Sequence, residues 1–156
     1  MSTLQTLRSH RVFEALGDEQ VDRIASFSSA KSFAAGAIIY RPDDRATHVY
    51  LVTRGLVHLT LPAMSKDFGL RVSEVEPGEL CGIAGILGGT NYTAIARAVE
   101  PTEVVAIDAQ RLSELLEANP AAGIRIIRDV ARLYMERYTD VMTNLQAMVS
   151  HIPLTR

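Results

Sequence analysis

The segment from Pro77 to Ala98, PGELCGIAGILGGTNYTAIARA, is the most informative part of this sequence. It opens on a Pro-Gly turn, continues through small residues and reaches a polar run, Thr-Asn-Tyr-Thr. This pattern is typical of a cradle that binds a small ligand through backbone N–H groups. A cradle for an anion usually adds a basic side chain. No Lys or Arg occurs between Gly78 and Ile95, so the cradle is predicted to lack its main charge.

The composition around this segment excludes several classes of protein. A length of 156 residues, with 47% hydrophobic and 22% charged residues, fits one globular domain. The net charge of -2 gives no general attraction for nucleic acid or an acidic membrane. The single cysteine excludes an internal disulfide framework, and the N-terminus lacks the apolar core of a signal peptide. We therefore expect a cytoplasmic protein that does not span a membrane.

Short strand-like runs lie on both sides of the cradle. They are bounded by turn residues and occupy about 31–40, 47–61, 70–78, 93–101 and 102–108. Closely spaced strands without intervening helices favour an antiparallel barrel or sandwich, so the fold class is mainly β with flanking helices. The run 81–89 is predicted to form a short helix. Strand alternation after it places Tyr92 and Ala94 on one face and Arg97 on the other.

The period changes to 3.6 residues after Asp108, which predicts a helix over 109–119 and a second one from Pro120 of about thirty residues. Apolar residues in the long helix follow a heptad spacing, which favours a parallel homodimer over packing on the helix's own domain. The seam predicted from this spacing consists of Ile124, Ile127, Ala131, Tyr134, Tyr138, Val141, Leu145, Met148 and Ile152.

Several motifs occur in a fixed order along the chain. They are FxxGxxIY from Phe33, VYLVxxGxV from Val49, PGEL from Pro77, TAxARA from Thr93 and TEV from Thr102. Together they resemble the cyclic-nucleotide-binding domain of the cyclic AMP receptor protein and fumarate–nitrate regulator superfamily. The resemblance implies a jelly-roll-like β-roll followed by a long C-terminal dimerisation helix. It divides the chain into a β-roll sensor domain with N-terminal helices, 1–120, and the long helix, 121–152.

The resemblance also implies a ligand site. Glu79 matches the glutamate that accepts a hydrogen bond from the ribose 2′-hydroxyl, or else it caps the cassette helix or pairs with a nearby arginine. Tyr92 stands where the family has an arginine that pairs with the phosphate, and a phenol cannot make that bidentate charged contact. A purine base is expected against the long helix near Tyr134, Arg137 and Tyr138. The predicted ligand-binding residues are Gly78, Glu79, Leu80, Cys81, Tyr92, Thr93, Ala94 and Tyr138.

Three functions remain open. The first is a small-ligand-sensing regulatory module in which cyclic AMP binding is weak or absent, so that a cyclic nucleotide is a possible ligand but not a tight one. The second is a degenerate domain that serves dimerisation or partner binding without a nucleotide. The third is a sensor of another ligand such as haem, with Cys81 as a redox or haem-linked thiol rather than a small buried hydrophobe.

Other chemistry is not indicated. The residues His10, His48, His58 and His151 show no metal-ligand spacing, and no catalytic motif stands out, so we expect neither a metal site nor an enzyme. Regulators of this superfamily carry a helix-turn-helix domain after the long helix, whereas only SHIPLTR follows here. We therefore expect no DNA binding by this chain itself.

Overall fold

The computed structural model describes residues 2–62 and 70–150. Within these two ranges, four α-helices and two 3₁₀ turns flank eight strands. The helices are α1 Thr3–Ser9, α2 Asp18–Ser26, α3 Ala109–Ala118 and α4 Pro120–Ser150, and the 3₁₀ turns are Arg11–Phe13 and Ile83–Ile86. The strands are β1 Ser28–Phe33, β2 Ile38–Tyr40, β3 His48–Arg54, β4 Val57–Leu61, β5 Leu70–Val75, β6 Leu80–Cys81, β7 Ile95–Ala98 and β8 Thr102–Asp108.

The strands form two antiparallel four-stranded sheets, ordered β1-β8-β3-β6 and β2-β7-β4-β5. The arrangement confirms the predicted β-roll with flanking helices. The predicted run 31–40 is divided into β1 and β2, and the run 47–61 into β3 and β4. Gly55, at a φ of 94°, lies between β3 and β4. A positive φ is readily adopted by glycine, which explains why the chain turns there.

The central strands are buried on both faces. In β3, Val49 and Leu51 join a core beneath the helices, whereas Tyr50 and Val52 join a second core between the sheets. Successive side chains of a strand point to opposite faces, so one strand supplies both cores. The second core is the inside of the β-roll, and it is where the cradle segment packs.

The cradle segment contains the predicted short helix, which is the 3₁₀ turn Ile83–Ile86. Two glycines let it lie close to β3. Gly82 has a φ of 70°, and a Cβ built on Gly85 would come within 2.4 Å of the Ala46 carbonyl oxygen. No real Cβ approaches a carbonyl so closely, which means that the cradle depends on these glycines.

The long helix α4 has 31 residues and begins at Pro120, as its sequence predicts. The face that packs on the β-roll carries Ile126, Val130 and Arg137, all buried. Among the described residues, no helix is both long enough and apolar enough to cross a membrane.

Candidate functional site

A small cavity lies inside the β-roll where the cradle segment faces α4. Its volume is about 60 Å³. The sheet β2-β7-β4-β5, the cradle and α4 contribute to its lining, which consists of Tyr40, Leu59, Val72, Gly82, Ile83, Ala84, Tyr92, Thr93, Ala94, Tyr134 and Arg137. The predicted residues Tyr92, Thr93 and Ala94 therefore meet at one site.

Tyr92 is an internal part of this site. Its side chain is 5% exposed, and its ring stacks on Tyr40 with the ring centroids 3.9 Å apart. Its hydroxyl accepts a hydrogen bond from the His48 N–H at 3.1 Å and donates one to the His48 carbonyl at 2.8 Å. The phenol proton is thus already used inside the protein, and it is not directed at a ligand.

The hydroxyl of Tyr40, on β2, accepts a hydrogen bond from a backbone N–H of the cradle. The Gly82 N–H donates to the Tyr40 hydroxyl at 3.0 Å, so this backbone group is not available for an anion while that bond is made. Burial raises the pKa of Tyr40 well above its ordinary value, so the phenol stays neutral. Tyr40 was not among the predicted site residues, although it ends the FxxGxxIY motif and alternation places it on the inner face.

The predicted strand alternation after the cradle is confirmed. Tyr92, Ala94 and Ala96 are buried, whereas Arg97 is exposed and donates to the Gly36 carbonyl at 2.9 Å. Arg97 therefore faces away from the cavity, and it does not replace the missing cradle charge.

Glu79 does not reach the cavity. Its carboxylate accepts a hydrogen bond from the Glu76 N–H at 2.9 Å, which closes the turn before β6. It lines an outer cleft between that turn, the Arg11–Phe13 turn and α4, beside Gly78 and Leu80. There the His10 Nε2 lies 2.5 Å from the Gly78 carbonyl oxygen. The structure therefore separates Glu79 from Tyr92, and the Glu79 carboxylate closes the preceding turn rather than capping the cassette helix.

Arg137 brings a positive charge to the cavity from α4. A charged residue on a surface helix is expected to lie in water, but only 8% of Arg137 is exposed, so this expectation is wrong. One guanidinium N–H donates to the Leu80 carbonyl, and the buried Nε has no acceptor among the described residues. The signal in the sequence was the row Ile126, Val130 and Arg137, whose spacing puts all three on one helix face.

Cys81 is buried behind the cavity. Burial raises the pKa of its thiol from 9.0 to about 11, although nearby Arg137 and a hydrogen bond with Tyr40 act in the opposite direction. A neutral, enclosed thiol is a poor nucleophile. This environment supports the reading of Cys81 as a small hydrophobe.

We expect native Cys81 to remain unmodified by Ellman's reagent at pH 8 and to react at once in denaturant. Because its pKa is raised on folding, the folded state is favoured below pH 9 and loses this contribution as the pH rises from 9 toward 11. The free energy of unfolding should therefore fall across that interval. Rapid modification of the native protein at pH 8 would contradict the buried environment.

The outer face of α4 carries an apolar stripe. All but one of the exposed large hydrophobic side chains among the described residues lie on this helix: Ile124, Tyr134, Met135, Tyr138, Met142, Leu145 and Val149. The predicted seam residues Tyr134, Tyr138 and Leu145 belong to this stripe, and Ile127 and Ala131 are half-buried. Ile152 lies outside the described residues.

Val141 and Met148 differ from the expected seam. Val141 packs against the core inside its own β-roll, and Met148 is half-buried. A strict heptad drifts by about 20° per repeat on a straight α-helix. The drift turns these two positions toward the β-roll, so Met142 and Val149 continue the exposed stripe in their place.

No group of three His, Cys, Asp or Glu side chains among residues 2–62 and 70–150 is arranged to hold a metal ion. The charged and aromatic groups that line the cavity are Tyr40, Tyr92, Tyr134 and Arg137.

Residues 30–119 match the family model described as the cyclic nucleotide-binding domain. A similar solved structure is that of a Geobacter metallireducens protein provisionally described as cyclic nucleotide-binding. Its sequence is 33% identical, the match covers 88% of this chain and 99% of that chain, and the TM-score is 0.75.

Curated relatives give a similar result. The Cyclic AMP receptor protein of Thermus thermophilus is 27% identical over 133 residues, which cover 83% of this chain and 60% of that protein. An uncharacterized NTE family protein of Mycobacterium tuberculosis is 25% identical over 127 residues, which cover 81% of this chain and 21% of that protein. The chain thus spans about a fifth of the length of the mycobacterial relative.

Proposed function

This chain belongs to the cyclic nucleotide-binding domain family, and we propose that it is a small-ligand-sensing regulatory module that binds cyclic AMP weakly or not at all. We propose a non-enzymatic role for it. The observation that carries the proposal is that Tyr92, which the resemblance aligns with the phosphate-pairing arginine, is fully engaged with Tyr40 and His48.

Charge supports weak binding of the nucleotide. A hydrogen bond to a charged group contributes ~1.5–3 kcal/mol, and an arginine that pairs with a phosphate lies at the upper end. Without that contact the affinity falls by roughly 100-fold, at 1.4 kcal/mol per tenfold. Arg137 does not restore the family's geometry, because it approaches from α4 rather than from the cradle.

Volume supports the same conclusion. Pockets for ligands of drug size usually measure ~300–1,000 Å³, whereas this cavity measures about 60 Å³. The stacked rings of Tyr40 and Tyr92 fill much of the space beside the cradle. A whole cyclic nucleotide would have to displace packed aromatic side chains, which costs free energy that the binding must offset.

We expect isothermal titration calorimetry to detect no binding of cyclic AMP, or a dissociation constant above roughly 100 μM, at which the binding free energy is only ~5 kcal/mol. The physical reasons are the missing cradle arginine and the small cavity. Cyclic GMP serves as the matched ligand, since it carries the same ribose and cyclic phosphate. A sub-micromolar constant for either nucleotide would show that the roll opens and that another group replaces the charge.

A second function, that of a dimerising or partner-binding domain without a ligand, is favoured by the filled interior and by the apolar stripe on α4. The same small volume gives no support to the haem-sensing alternative. Thermal unfolding with cyclic AMP, cyclic GMP and haem separates these readings, since a ligand at 100 times its Kd stabilises the fold by ~2.7 kcal/mol.

Under either reading we propose a parallel homodimer formed by α4. The proposal rests on the exposed stripe, which includes Tyr138, Met142 and Leu145. Soluble monomers rarely leave a long apolar stripe in water, and a two-fold contact buries it by using one surface twice. Residues 1–120 would then act as the sensor and 121–152 as the dimerisation element.

A further inference from the structure

Arg137 is a buried cation without an anionic partner among residues 2–62 and 70–150. It takes part in none of the ion pairs found among the described residues, which join Arg8 to Asp22, His58 and Arg71 to Glu74, and Arg132 to Asp129. A guanidinium has five N–H donors. One donates to the Leu80 carbonyl, and the buried Nε–H finds no acceptor in the described part of the chain.

Such an arrangement is unfavourable unless something else compensates the charge. Removing a cation from water is costly, and the cost is recovered only when an anion and good hydrogen bonds take the place of the lost water. The nearest ionisable groups do not supply an anion. Burial raises the pKa of Tyr40 and, to about 11, that of Cys81, so both are neutral at pH 7.

The size and the lining of the cavity limit the anion that fits. A volume of about 60 Å³ leaves room for a few heavy atoms and none for a sugar or a base. The planar fork of a guanidinium matches two oxygens of a planar oxyanion. Thr93 and Tyr134 also line the cavity and carry hydroxyl groups, while Ile83 and Ala84 make the rest of the lining apolar.

We propose that the β-roll cavity is a binding site for a small planar oxyanion of the nitrate, bicarbonate or carboxylate type, with Arg137 as its charge partner. The inference rests on the proposed small-ligand-sensing function and gives it a ligand class. The site differs from a nucleotide site because its charge comes from α4, and because the bound group is a bare anion.

The test uses the full chain labelled with ¹⁵N. The Arg137 Nε–H resonance is followed while sodium nitrate, bicarbonate, formate or acetate is added, with ionic strength held constant by sodium fluoride. At least one anion should shift this resonance saturably, with a millimolar or lower dissociation constant. A ligand of four heavy atoms reaches roughly tens of micromolar at best.

Variants separate a built site from general charge effects. Arg137→Lys keeps the charge but removes the fork, so it should weaken binding at least about tenfold. Arg125→Lys, at an exposed position of the same helix, should leave the dissociation constant unchanged. The wild-type resonance remains the primary readout if Arg137→Lys fails to fold.

The outcomes distinguish this inference from the proposed function. No saturable shift with any of the four anions would overturn the anion site, while weak binding of cyclic AMP would still stand. Equal shifts at exposed arginines would also overturn it, since they report ionic atmosphere only. Saturation at Arg137 with no response to cyclic AMP is the result expected from both proposals.

Discussion

Replacing Met142 and Leu145 together with glutamate should convert the proposed homodimer of this chain into a monomer. Both side chains are 39% exposed on the outer stripe of α4. In a two-fold contact each new carboxylate meets its symmetry mate in a desolvated place, which costs several kcal/mol. The dissociation constant should rise at least ~1,000-fold, at 1.4 kcal/mol per tenfold. Light scattering at micromolar concentrations measures the change.

Thr143→Glu is the matched control, because Thr143 is exposed on the same turn and lies about 130° from the centre of the stripe, at 100° per residue. It should leave the dimer intact. Far-ultraviolet circular dichroism reports whether the double variant keeps its fold. A wild-type protein that is monomeric at tens of micromolar would refute the dimer, and the stripe would then need another partner.

Much of the β-roll is predictable from sequence, because short strands need only local signals. The buried run from Val49 to Val52 has no polar alternation, yet its length and the glycine that follows identify a strand. The glycines of the cradle likewise predict a tight, non-strand segment, and Gly82 and Gly85 are needed for its close approach to β3. Turn residues and the hydrophobic pattern were sufficient to predict these two elements.

Which positions of α4 face the β-roll and which face outward was harder to predict, because its apolar residues form two faces about 100° apart. The heptad reading follows the outer face and then drifts toward the inner one at Val141. Arg137 was expected in water because charged residues are rarely buried. The sequence does not show which group binds the buried guanidinium, because the acceptor is the Leu80 carbonyl on a strand far away in the chain.

Glu79 shows a different limit of sequence reasoning. Its place after Pro77 and Gly78 is the same whether its carboxylate faces a ligand or closes a turn. The choice depends on a backbone N–H three residues earlier, that of Glu76, which becomes available only once the turn is formed. Spacing alone therefore does not decide the role of this residue.

The position of Arg137 links the two proposals about this protein. Its side chain enters the cavity, while Tyr138, the next residue, lies on the outer stripe of the same helix. An anion that pulls on Arg137 would act directly on the helix that carries the proposed dimer contact. Linkage then requires that dimerisation alter the anion's affinity by the same factor as the anion alters dimerisation.

Tyr92→Ala should lower the free energy of unfolding by about 3–5 kcal/mol, the range for loss of a buried aromatic ring. The change removes the stack on Tyr40 and both hydrogen bonds to His48. Tyr92→Phe keeps the ring and removes only the hydroxyl, so it should cost about 1–3 kcal/mol from the backbone groups left without a partner. Denaturation by urea at a fixed protein concentration measures both.

Val99→Ala is the control for this series, because Val99 is 42% exposed just beyond the end of β7. A surface change of this kind should stay within about 0.5 kcal/mol. If Tyr92→Ala also fell within that margin, the phenol would not be part of the packed interior. Tyr92 would then be a ligand-facing group, and the packing of its ring beside the cradle would no longer explain weak nucleotide binding. A large loss instead ties the same side chain to folding and to exclusion of the nucleotide, because a ring that stabilises the roll also occupies the space beside the cradle.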